Sequence, residues 1–501
     1  MKPATSAFPV AWEFAKSFWA AGVPKDALQV VCTDGREPLN YLTAHSSIKH
    51  IILTGGTDTA FHLLKNNPTC PLSAETGGKN AIILTASGDR DHAIQNIVTS
   101  AFSNAGQKCS ACSLLLLEKE VYNDPEFKTK LTDAVTSMKT GGVWDGGNIV
   151  GPMITCENEK LLFAIDHMEA GETWLVKPEF ADEKRFILKP CVKWGVKPDS
   201  YSFKNELFAP LLSVVCIADL EDGIKKVNGS EYGLTSGLQS LDEKEQTRWK
   251  NSIEAGNLYI NRGITGAIVN RQPFGGMKRS AFGGGIKAGG RNYVTGFVNI
   301  NEDSKVPTTY KEKKQYNAFS SLLNHHENAH FHAAVDSYIK NWENEFSTET
   351  DIHHLMGEKN TFRYLPLKNM ALRVQNTDNF CDIFIILAAA NIVKTPIILS
   401  IGQDDYKLDV LRKSMQHECT IIIQSEIEFL QNIEKYERIR TCNRQLSADF
   451  YMKAAETGKH IASSKPLIEG RIELLHYVKE QSIAFEYHRY GSITDLKEYN
   501  T

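Results

Sequence analysis

The chain has 501 residues, 42% of them hydrophobic and 23% charged, which is typical of a globular protein and argues against a disordered one. Its net charge of −4, without any polybasic stretch, argues against a nucleic-acid-binding protein, and its longest apolar run, residues 383–390, is far shorter than the ~20 residues that cross a bilayer. Ten irregularly spaced cysteines and an N-terminus without an export pattern predict reduced thiols in a cytoplasmic protein with no transmembrane segment.

Apolar strands and helices alternate in the first part of the chain. Helices are predicted at residues 7–21, 57–64 and 91–103, and short strands at residues 28–32, 50–54, 81–85 and 113–117. Pro9 and Gly22 have the positions expected in the first turn and just beyond the end of the first helix. Gly55 and Gly56 separate a strand from the helix that follows it. This order predicts a doubly wound α/β fold, and the alternation continues to about residue 300.

The composition changes after residue 300. Residues 301–314 are polar and charged, contain Pro307 and lack apolar periodicity, so they are predicted to be a linker. A second α/β segment follows, with buried strands predicted at residues 396–400 and 420–423 and helices at residues 406–416 and 425–436. Ser425 and Glu428 have the spacing of a capping box, which supports the start of the last of these helices.

Cys109 is the first candidate for a catalytic residue. It lies in the segment Gly-Gln-Lys-Cys-Ser of residues 106–110, between a predicted helix and a predicted strand, where side chains are accessible. A thiolate at such a position is a good nucleophile toward a carbonyl carbon. The alternative is that Cys109 is a small buried hydrophobic residue, as most cysteines are, and Cys112 is a weaker candidate for the same role.

Glu75 is the second candidate, because two glycines closely follow it and allow a tight turn that points the carboxylate into a cleft. Such a carboxylate is suited to be a general base, and the alternative is an ordinary surface glutamate. Gly55 and Gly56 are candidates for a phosphate-binding turn, since the start of a helix offers free N–H groups. The usual GxGxxG fingerprint of a dinucleotide-binding fold is absent from the sequence.

A zinc-protease pattern, HExxH, occurs at residues 326–330, where the spacing would place His326 and His330 on one face of a helix. The pattern lies in a polar segment beside His325 and His332, and no third ligand is evident. We therefore expect a solvated histidine cluster and no metal site.

Three segments in order resemble the aldehyde dehydrogenase superfamily: Thr-Gly-Gly at 54–56, Glu-Thr-Gly-Gly-Lys-Asn at 75–80 and Gly-Gln-Lys-Cys-Ser-Ala at 106–111. Further motifs of that superfamily follow, Asn-Glu-Leu-Phe-Ala-Pro at 205–210, Tyr-Gly-Leu-Thr at 232–235 and Gln-Pro-Phe-Gly-Gly at 272–276. Lys-Pro-Ala at 2–4 matches its cofactor-binding lysine segment. The resemblance covers about residues 2–300.

Within the superfamily, the segments at 261–269 and 289–293 resemble the glutamate semialdehyde dehydrogenases, also called 1-pyrroline-5-carboxylate dehydrogenases. The segments at 470–475, 480–483 and 487–491 are similar to the C-terminal motif of the bifunctional proline utilization A family. The resemblance implies a partial NAD-binding domain over 1–77, a catalytic domain over 78–300, the linker at 301–314, and an extra C-terminal α/β domain over 315–501. It also implies that the chain lacks the N-terminal part of the family fold.

The resemblance assigns a role to each motif. Cys109 would attack the aldehyde to form a thiohemiacetal, hydride transfer to NAD would leave a thioester, and Glu75 would activate the water that hydrolyses it. The residues implied to bind the cofactor are Lys2, Gly55, Gly56, Glu206 and Phe208. The residues implied to bind the substrate are Ser110, Gly266, Ala267 and Phe274, the first three through its α-carboxylate.

Some positions depart from the family pattern. Thr5 replaces a glutamate that repels a 2′-phosphate in many NAD-preferring members, which leaves the choice between NAD and NADP open, and Gly56 replaces a more usual serine. The family's oxyanion-hole asparagine has no counterpart in this chain. We therefore expect little dehydrogenase activity from the chain alone.

The resemblance predicts NAD-dependent oxidation of L-glutamate γ-semialdehyde to L-glutamate, the second step of proline breakdown. The expected assembly is a homo-oligomer, or a complex with a partner that supplies the N-terminal half and proline dehydrogenase activity. A non-catalytic subunit and an aldehyde dehydrogenase for another substrate remain as alternatives.

Overall fold

The N-terminal segment is a small α/β unit. The computed structural model describes residues 1–33, 37–302, 310–414 and 419–487 of the chain. The elements of the N-terminal segment are α1 (Phe8–Ala20), α2 (Glu37–Ala44), β1 (Ile51–Thr54), α3 (Thr57–Asn66) and β2 (Leu72–Glu75). Strand β1 pairs in parallel with β2, and the predicted helices at 7–21 and 57–64 and the predicted strand at 50–54 are confirmed.

The strand predicted at residues 28–32 is wrong, because that segment is irregular in the structure. Two of its backbone groups bond the first residue: the N–H of Val31 donates to the carbonyl of Met1 at 2.9 Å, and the amino group of Met1 donates to the carbonyl of Gln29 at 2.6 Å. Two bonds to one residue do not form a ladder, so apolar composition alone does not produce a strand here.

The central region contains most of a large parallel sheet. Its elements are β3 (Asn80–Leu84), α4 (Arg90–Phe102), β4 (Cys112–Glu118), α5 (Lys119–Asn123), α6 (Pro125–Thr136), α7 (Glu159–Asp166), β5 (Thr173–Val176), β6 (Cys191–Trp194), α8 (Tyr201–Lys204), β7 (Leu211–Ile217), α9 (Leu220–Asn228), β8 (Tyr232–Gly233), β9 (Thr235–Gln239), α10 (Glu243–Ser252), β10 (Asn257–Ile260), β11 (Met277–Lys278) and β12 (Ala281–Phe282). The predicted helix at 91–103 and strands at 81–85 and 113–117 are confirmed as α4, β3 and β4.

The C-terminal region has its own sheet. Its elements are α11 (Asn317–Ser320), α12 (His325–Asn341), β13 (Glu358–Pro366), β14 (Met370–Arg373), α13 (Phe380–Val393), β15 (Ile397–Ile401), α14 (Leu408–Ser414), β16 (Thr420–Ile423), α15 (Glu426–Gln431), β17 (Arg438–Arg440), α16 (Ala448–Thr457), β18 (Ile461–Ala462), α17 (Gly470–Glu473) and β19 (Val478–Glu486). Five parallel strands form the C-terminal sheet in the order β16-β15-β14-β17-β18. The predicted capping box of Ser425 and Glu428 is present and starts α15.

Some predictions for this half of the chain are met only in part. Residues 303–309 of the predicted linker, 415–416 of the helix predicted at 406–416, and 488–491 of the terminal motif lie outside the described residues. The helix predicted at 425–436 is shorter than expected, since α15 ends at Gln431 and a 3₁₀ turn, Ile433–Lys435, follows it.

The largest sheet takes strands from both sides of the predicted linker. Its nine strands have the order β13-β19-β10-β9-β3-β4-β7-β6-β5, and the seven from β19 to β6 run in parallel. Strand β19 pairs in parallel with β10 and in antiparallel with β13 over its whole length. The terminal part of the chain is therefore an interior strand of the sheet that carries the candidate site.

The long apolar run at residues 383–390 lies in α13, a helix of 14 residues of which 11 are buried. It packs between the C-terminal sheet and α12, and its Phe384 stacks on Phe319 at 4.4 Å between ring centroids. Helix α13 is apolar on all sides because other parts of the protein surround it on all sides. None of the described helices is both long and apolar enough to cross a membrane.

Candidate active site

Asn80 holds the turn that carries the Cys109 thiol. Asn80 is the first residue of β3, and its Nδ2 donates to the backbone carbonyls of Cys109 at 2.6 Å and of Ala111 at 3.0 Å. Its Oδ1 accepts the backbone N–H of Thr235 at 3.1 Å, at the start of the neighbouring strand β9. One buried amide therefore ties the nucleophile turn to two central strands and fixes where the thiol lies.

The Cys109 thiol is half-buried and lies in a negative environment. Burial raises its pKa, the charges of Glu75 and Glu206 raise it further, and hydrogen bonds from the backbone N–H groups of Ser110 and Cys109 oppose that rise. The resting group is therefore a thiol, which needs a base to become a thiolate. Cys112 is buried inside β4, and burial raises its pKa to about 12, which is typical of an unreactive cysteine.

Glu75 ends strand β2, so its carboxylate is placed by a sheet rather than by the tight turn that the sequence predicted. Its Oε2 accepts the backbone N–H of Gly276 at 2.9 Å. Burial raises its pKa to about 7, while the charge of Lys287 and the Gly276 hydrogen bond act against that rise. A carboxylate with a pKa close to neutrality is suited to general base catalysis, and its charge acts on the Cys109 thiol.

The glycine pair after Glu75 makes room for Glu206. The N–H of Gly78 donates to Glu206 Oε1 at 2.9 Å, and a Cβ atom on Gly77 would lie only 1.9 Å from Glu206 Oε2. Next to them, Lys79 is 4% exposed and its Nζ has no hydrogen-bond partner among the described residues. Burial lowers the pKa of Lys79 to about 7, and the charge of Glu206 opposes this effect. A second carboxylate and an unpaired amine thus lie beside the thiol turn.

Phe208 has a backbone conformation that points to a function. Its φ of 50° is unusual for a bulky residue, and its side chain is 41% exposed instead of packed in a core. Its carbonyl accepts Nε2 of Gln107 at 3.2 Å, and Gln107 Oε1 accepts the N–H of Ile154 at 3.0 Å. This bridge links the Phe208 turn to the residue two positions before Cys109.

The remaining residues implied to bind the cofactor differ in setting. Gly56 is the N-cap of α3, and no atom lies within 4 Å of the position that a Cβ would take there. The N–H of Gly55 donates to the carbonyl of Glu75 at 3.2 Å, which places the glycine turn beside the candidate base. Lys2 lies in an irregular segment, and its Nζ donates to the carbonyl of its neighbour Pro3.

The residues implied to bind the substrate lie on two segments. Ser110 is buried and its carbonyl accepts Oγ1 of Thr235, whereas Gly266, with a φ of 82°, and Ala267 lie on a loop that is mostly exposed. Phe274 is half-buried and exchanges two backbone hydrogen bonds with Ala288, both of 2.9 Å.

Strand β13 supports the loop that carries Gly266 and Ala267. Gln272 accepts the N–H of Ile268 at 2.9 Å and donates to Glu358 at 2.9 Å, and Glu358 also pairs with Arg262. Because Glu358 begins β13, these contacts connect the C-terminal region to this loop.

The HExxH segment is used to start a helix. Glu327 forms a capping box with Asn324 at the first turn of α12, and the described residues contain no group of three His, Cys, Asp or Glu side chains suited to a metal ion. The expectation of a solvated cluster is wrong for His332, which is buried, bonded to Ser320 at 2.9 Å and stacked on Tyr310. The helix directs the His332 side chain toward the core. The polar composition of the segment gave no indication of this orientation.

Sequence reasoning missed three residues of the site: Asn80, the unpaired Lys79, and Lys287. The first two lie inside the Glu-Thr-Gly-Gly-Lys-Asn motif, so their position beside the candidate base was an available signal. Lys287 follows a glycine-rich stretch, and nothing local distinguishes it from a surface lysine; only the fold brings it to Glu75.

A thiol and a carboxylate with a near-neutral pKa, placed together at the ends of parallel strands, define an α/β protein with a site for thiol chemistry. Residues 1–302 match the model of the aldehyde dehydrogenase family, and the chain belongs to that family.

Relatives of the chain include the 1-pyrroline-5-carboxylate dehydrogenase of Geobacillus sp. (strain WCH70), which is 31% identical over 305 residues, 59% of this chain and 58% of that protein. Similar solved structures include proline utilization A (PutA) from Corynebacterium freiburgense, with 34% identity, a TM-score of 0.83, and coverage of 98% of this chain and 47% of that one. A 1-pyrroline-5-carboxylate dehydrogenase from Thermus, solved with bound NAD, has 30% identity and a TM-score of 0.56 over 60% of this chain and 59% of that one. The chain spans 58% of the length of the Geobacillus relative.

Proposed function

We propose that the protein oxidises L-glutamate γ-semialdehyde, the open form of 1-pyrroline-5-carboxylate, to L-glutamate with NAD as the oxidant. The observation that carries the proposal is the pairing of Cys109 with Glu75, held by Asn80 on one side and by the Gly276 N–H on the other. The printed names of the relatives support this substrate. In this role the protein catalyses the second step of proline breakdown.

Cys109 supplies the nucleophile of this reaction. Its sulfur attacks the aldehyde carbon and forms a thiohemiacetal, and the thiol proton leaves to a base. The backbone N–H groups that already bond the sulfur, those of Cys109 and Ser110, also stabilise the thiolate. After oxidation, the substrate carbon is held to Cys109 as a thioester.

Glu75 acts in the second half of the reaction. Above a pH of about 7 it is ionised and takes a proton from the water that attacks the thioester carbon, which releases L-glutamate and restores the thiol. The fixed β2 position of Glu75 and its bond to Gly276 keep one carboxylate oxygen oriented, so the other remains free for water.

NAD, when bound, accepts the hydride that leaves the thiohemiacetal carbon. The chain's residues fit such a group: Gly56 opens the N-terminal end of α3 toward a phosphate, and Phe208 offers an exposed ring beside the nucleophile turn. Lys2 and Glu206 would bind ribose hydroxyls, with Gly55 beside the pyrophosphate. Ser110, Gly266 and Ala267 would hold the α-carboxylate of the substrate. Phe274 would pack on the methylene groups of the substrate.

The test is NADH formation from L-glutamate γ-semialdehyde by the chain alone and by the chain joined to the preceding part of a family member. Propanal, which lacks the α-carboxylate, is the control substrate and should be oxidised at a much lower kcat/KM. Equal kcat/KM for both aldehydes would contradict the substrate assignment. No NADH in either form would support the alternative of a non-catalytic subunit.

An assembly also follows from the proposal. Helix α1 exposes Val10, Trp12, Phe14 and Phe18, with 75, 40, 58 and 41% of each residue accessible, and such a surface favours association. This supports either a homo-oligomer or a complex with a partner polypeptide that carries proline dehydrogenase activity. The described residues contain no disulfide bond, in line with the proposed cytoplasmic location.

A further inference from the structure

One peptide unit joins the Lys287 ammonium to the Glu75 carboxylate. Lys287 Nζ donates to the carbonyl of Gly275, and the N–H at the other end of the same peptide, that of Gly276, donates to Glu75 Oε2 at 2.9 Å. Lys287 Nζ also donates to Asn257 Oδ1 at 3.0 Å, and Asn257 Oδ1 accepts the N–H of Gly275 at 3.2 Å. The peptide is therefore fixed at both of its polar ends.

This peptide has almost no room to move. A Cβ atom on Gly275 would lie 2.9 Å from Glu75 Oε1 and 3.2 Å from Lys287 Cγ. A Cβ atom on Gly256, on the other side, would lie 1.8 Å from the Gly275 carbonyl oxygen and 2.8 Å from Lys287 Nζ. A side chain on Gly256 would displace the carbonyl that the ammonium holds, and a side chain on Gly275 would press on the Glu75 carboxylate.

The C-terminal strand β19 anchors Lys287 in turn. Glu480 accepts the backbone N–H of Lys287 at 2.7 Å, and its other oxygen accepts Nδ2 of Asn292 at 2.6 Å. Lys287 is 1% exposed and Glu480 is 4% exposed, so both charges are shielded from water. The position of the ammonium thus depends on a residue that lies far along the chain.

We propose that Lys287 is a positioning residue for the general base: its ammonium fixes the Gly275–Gly276 peptide so that the Gly276 N–H holds Glu75, and its charge favours the ionised carboxylate. The inference rests on the proposed role of Glu75 and adds a residue that acts through it. It also gives the C-terminal region a part in the chemistry, since Glu480 sets the place of Lys287.

The electrostatics agree with this arrangement. Burial raises the pKa of Glu75 and lowers that of Lys287, whereas their mutual attraction opposes both shifts, and Glu480 also favours the charged Lys287. Among the described residues, the Glu75 charge also acts on the Cys109 thiol and the Tyr293 hydroxyl. Without the Lys287 charge, only the Gly276 hydrogen bond would oppose the effect of burial on Glu75, so the pKa of Glu75 would rise further.

The test measures how fast iodoacetamide alkylates Cys109 at each pH, followed by mass spectrometry of the Cys109 peptide in the full chain. Ionised Glu75 disfavours the thiolate, so the wild-type pH profile should contain an inflection that Glu75→Gln removes. Lys287→Met should move that inflection upward by about one pH unit or more. Lys287→Gln, which keeps an N–H donor but no charge, should shift it in the same direction. Neither the aldehyde nor NAD is needed, so a failed NADH assay leaves this result independent.

The matched control is Lys193→Met, which removes another lysine of 1% exposure, in strand β6 of the nine-stranded sheet, where it pairs with Glu172. This variant should leave the Cys109 profile unchanged. If the Lys287 variants do not fold, the ¹⁵N chemical shift of the Gly276 amide is measured against pH in the wild-type chain. This shift should change as Glu75 titrates. An inflection that stays in place in the Lys287 variants, a wild-type profile without any dependence on Glu75, or a Gly276 amide that does not titrate would overturn the proposal.

Discussion

The candidate site and the C-terminal sheet both bury charged side chains at or beside strand ends, but the surroundings of those charges differ. In the C-terminal region, Arg440 is fully buried, its Nη atoms bond three backbone carbonyls and Glu473 at 2.9 Å, and Glu473 also accepts the Tyr477 hydroxyl. In the candidate site, Lys79 Nζ has no partner among the described residues, and Glu75 has a pKa raised to about 7. Arg440 Nε also lacks a partner among the described residues, so neither burial nor a single unpaired atom marks a reactive site; a buried carboxylate whose pKa is raised to about 7 beside a thiol does.

The cysteines repeat this contrast. Cys109 is half-buried on a turn, with backbone N–H groups at its sulfur. Cys442 follows β17 in the C-terminal sheet and is 3% exposed, and burial together with the nearby Asp378 carboxylate holds its pKa well above the usual range. The same side chain is thus accessible to a substrate in one region and is part of the core in the other.

The largest expected effect comes from replacing the two cysteines of this comparison. Cys109→Ala should lower aldehyde oxidation by about 10⁴-fold or more, because the nucleophile is lost, with little change in the free energy of unfolding. Cys442→Ala is the control, and should cost roughly 1 kcal/mol of stability while NADH formation persists. Steady-state kinetics and urea unfolding of both variants check this. Full activity of the Cys109 variant would remove Cys109 from the chemistry.

The next effect concerns the base. Glu75→Gln keeps the shape of the side chain but not its proton acceptor, so thioester hydrolysis should slow by about 10²–10⁴-fold while the first turnover proceeds. Rapid mixing should then show a burst of NADH close to one per site, followed by a slow steady state. Loss of the burst as well would indicate that Glu75 activates the thiol or supports the fold.

The third prediction concerns the stability that the buried charges of the C-terminal region contribute. Glu473→Gln leaves the fully buried Arg440 without its counter-charge and should lower the free energy of unfolding by about 3–5 kcal/mol. Glu221→Gln breaks an ion pair with Arg248 in which both side chains are more than half exposed, and should cost about 0–1 kcal/mol. Denaturant unfolding of both variants tests this, and equal losses would show that burial of the pair is unimportant.

Local patterns in the sequence predicted the elements that they encode and the motifs that they carry. The helix and strand starts around Cys109, the capping box at Ser425 and the glycine turn at Gly56 depend on neighbouring residues, and all were predicted. The place of β19 between β10 and β13, and that of Lys287 beside Glu75, depend on pairing between distant segments. A local pattern does not reveal the distant segment with which a strand pairs. Residues 28–32 were wrongly predicted to be a strand because their apolar pattern likewise says nothing about a pairing partner.

The smallest expected effect is the pH dependence of deacylation. Burial raises the pKa of Glu75 to about 7, and the base works only when ionised, so the rate should rise with pH through that value and level off above it. At pH 6 about one tenth of Glu75 is ionised, so the rate should be roughly tenfold below its plateau. Pre-formed thioester, made by acylating Cys109 with p-nitrophenyl acetate, isolates this step from oxidation. Glu75→Gln should lose the rise. A wild-type rate that is flat between pH 6 and 8 would mean that Glu75 keeps an ordinary carboxyl pKa, and that its surroundings resemble the well-paired charges of the C-terminal sheet.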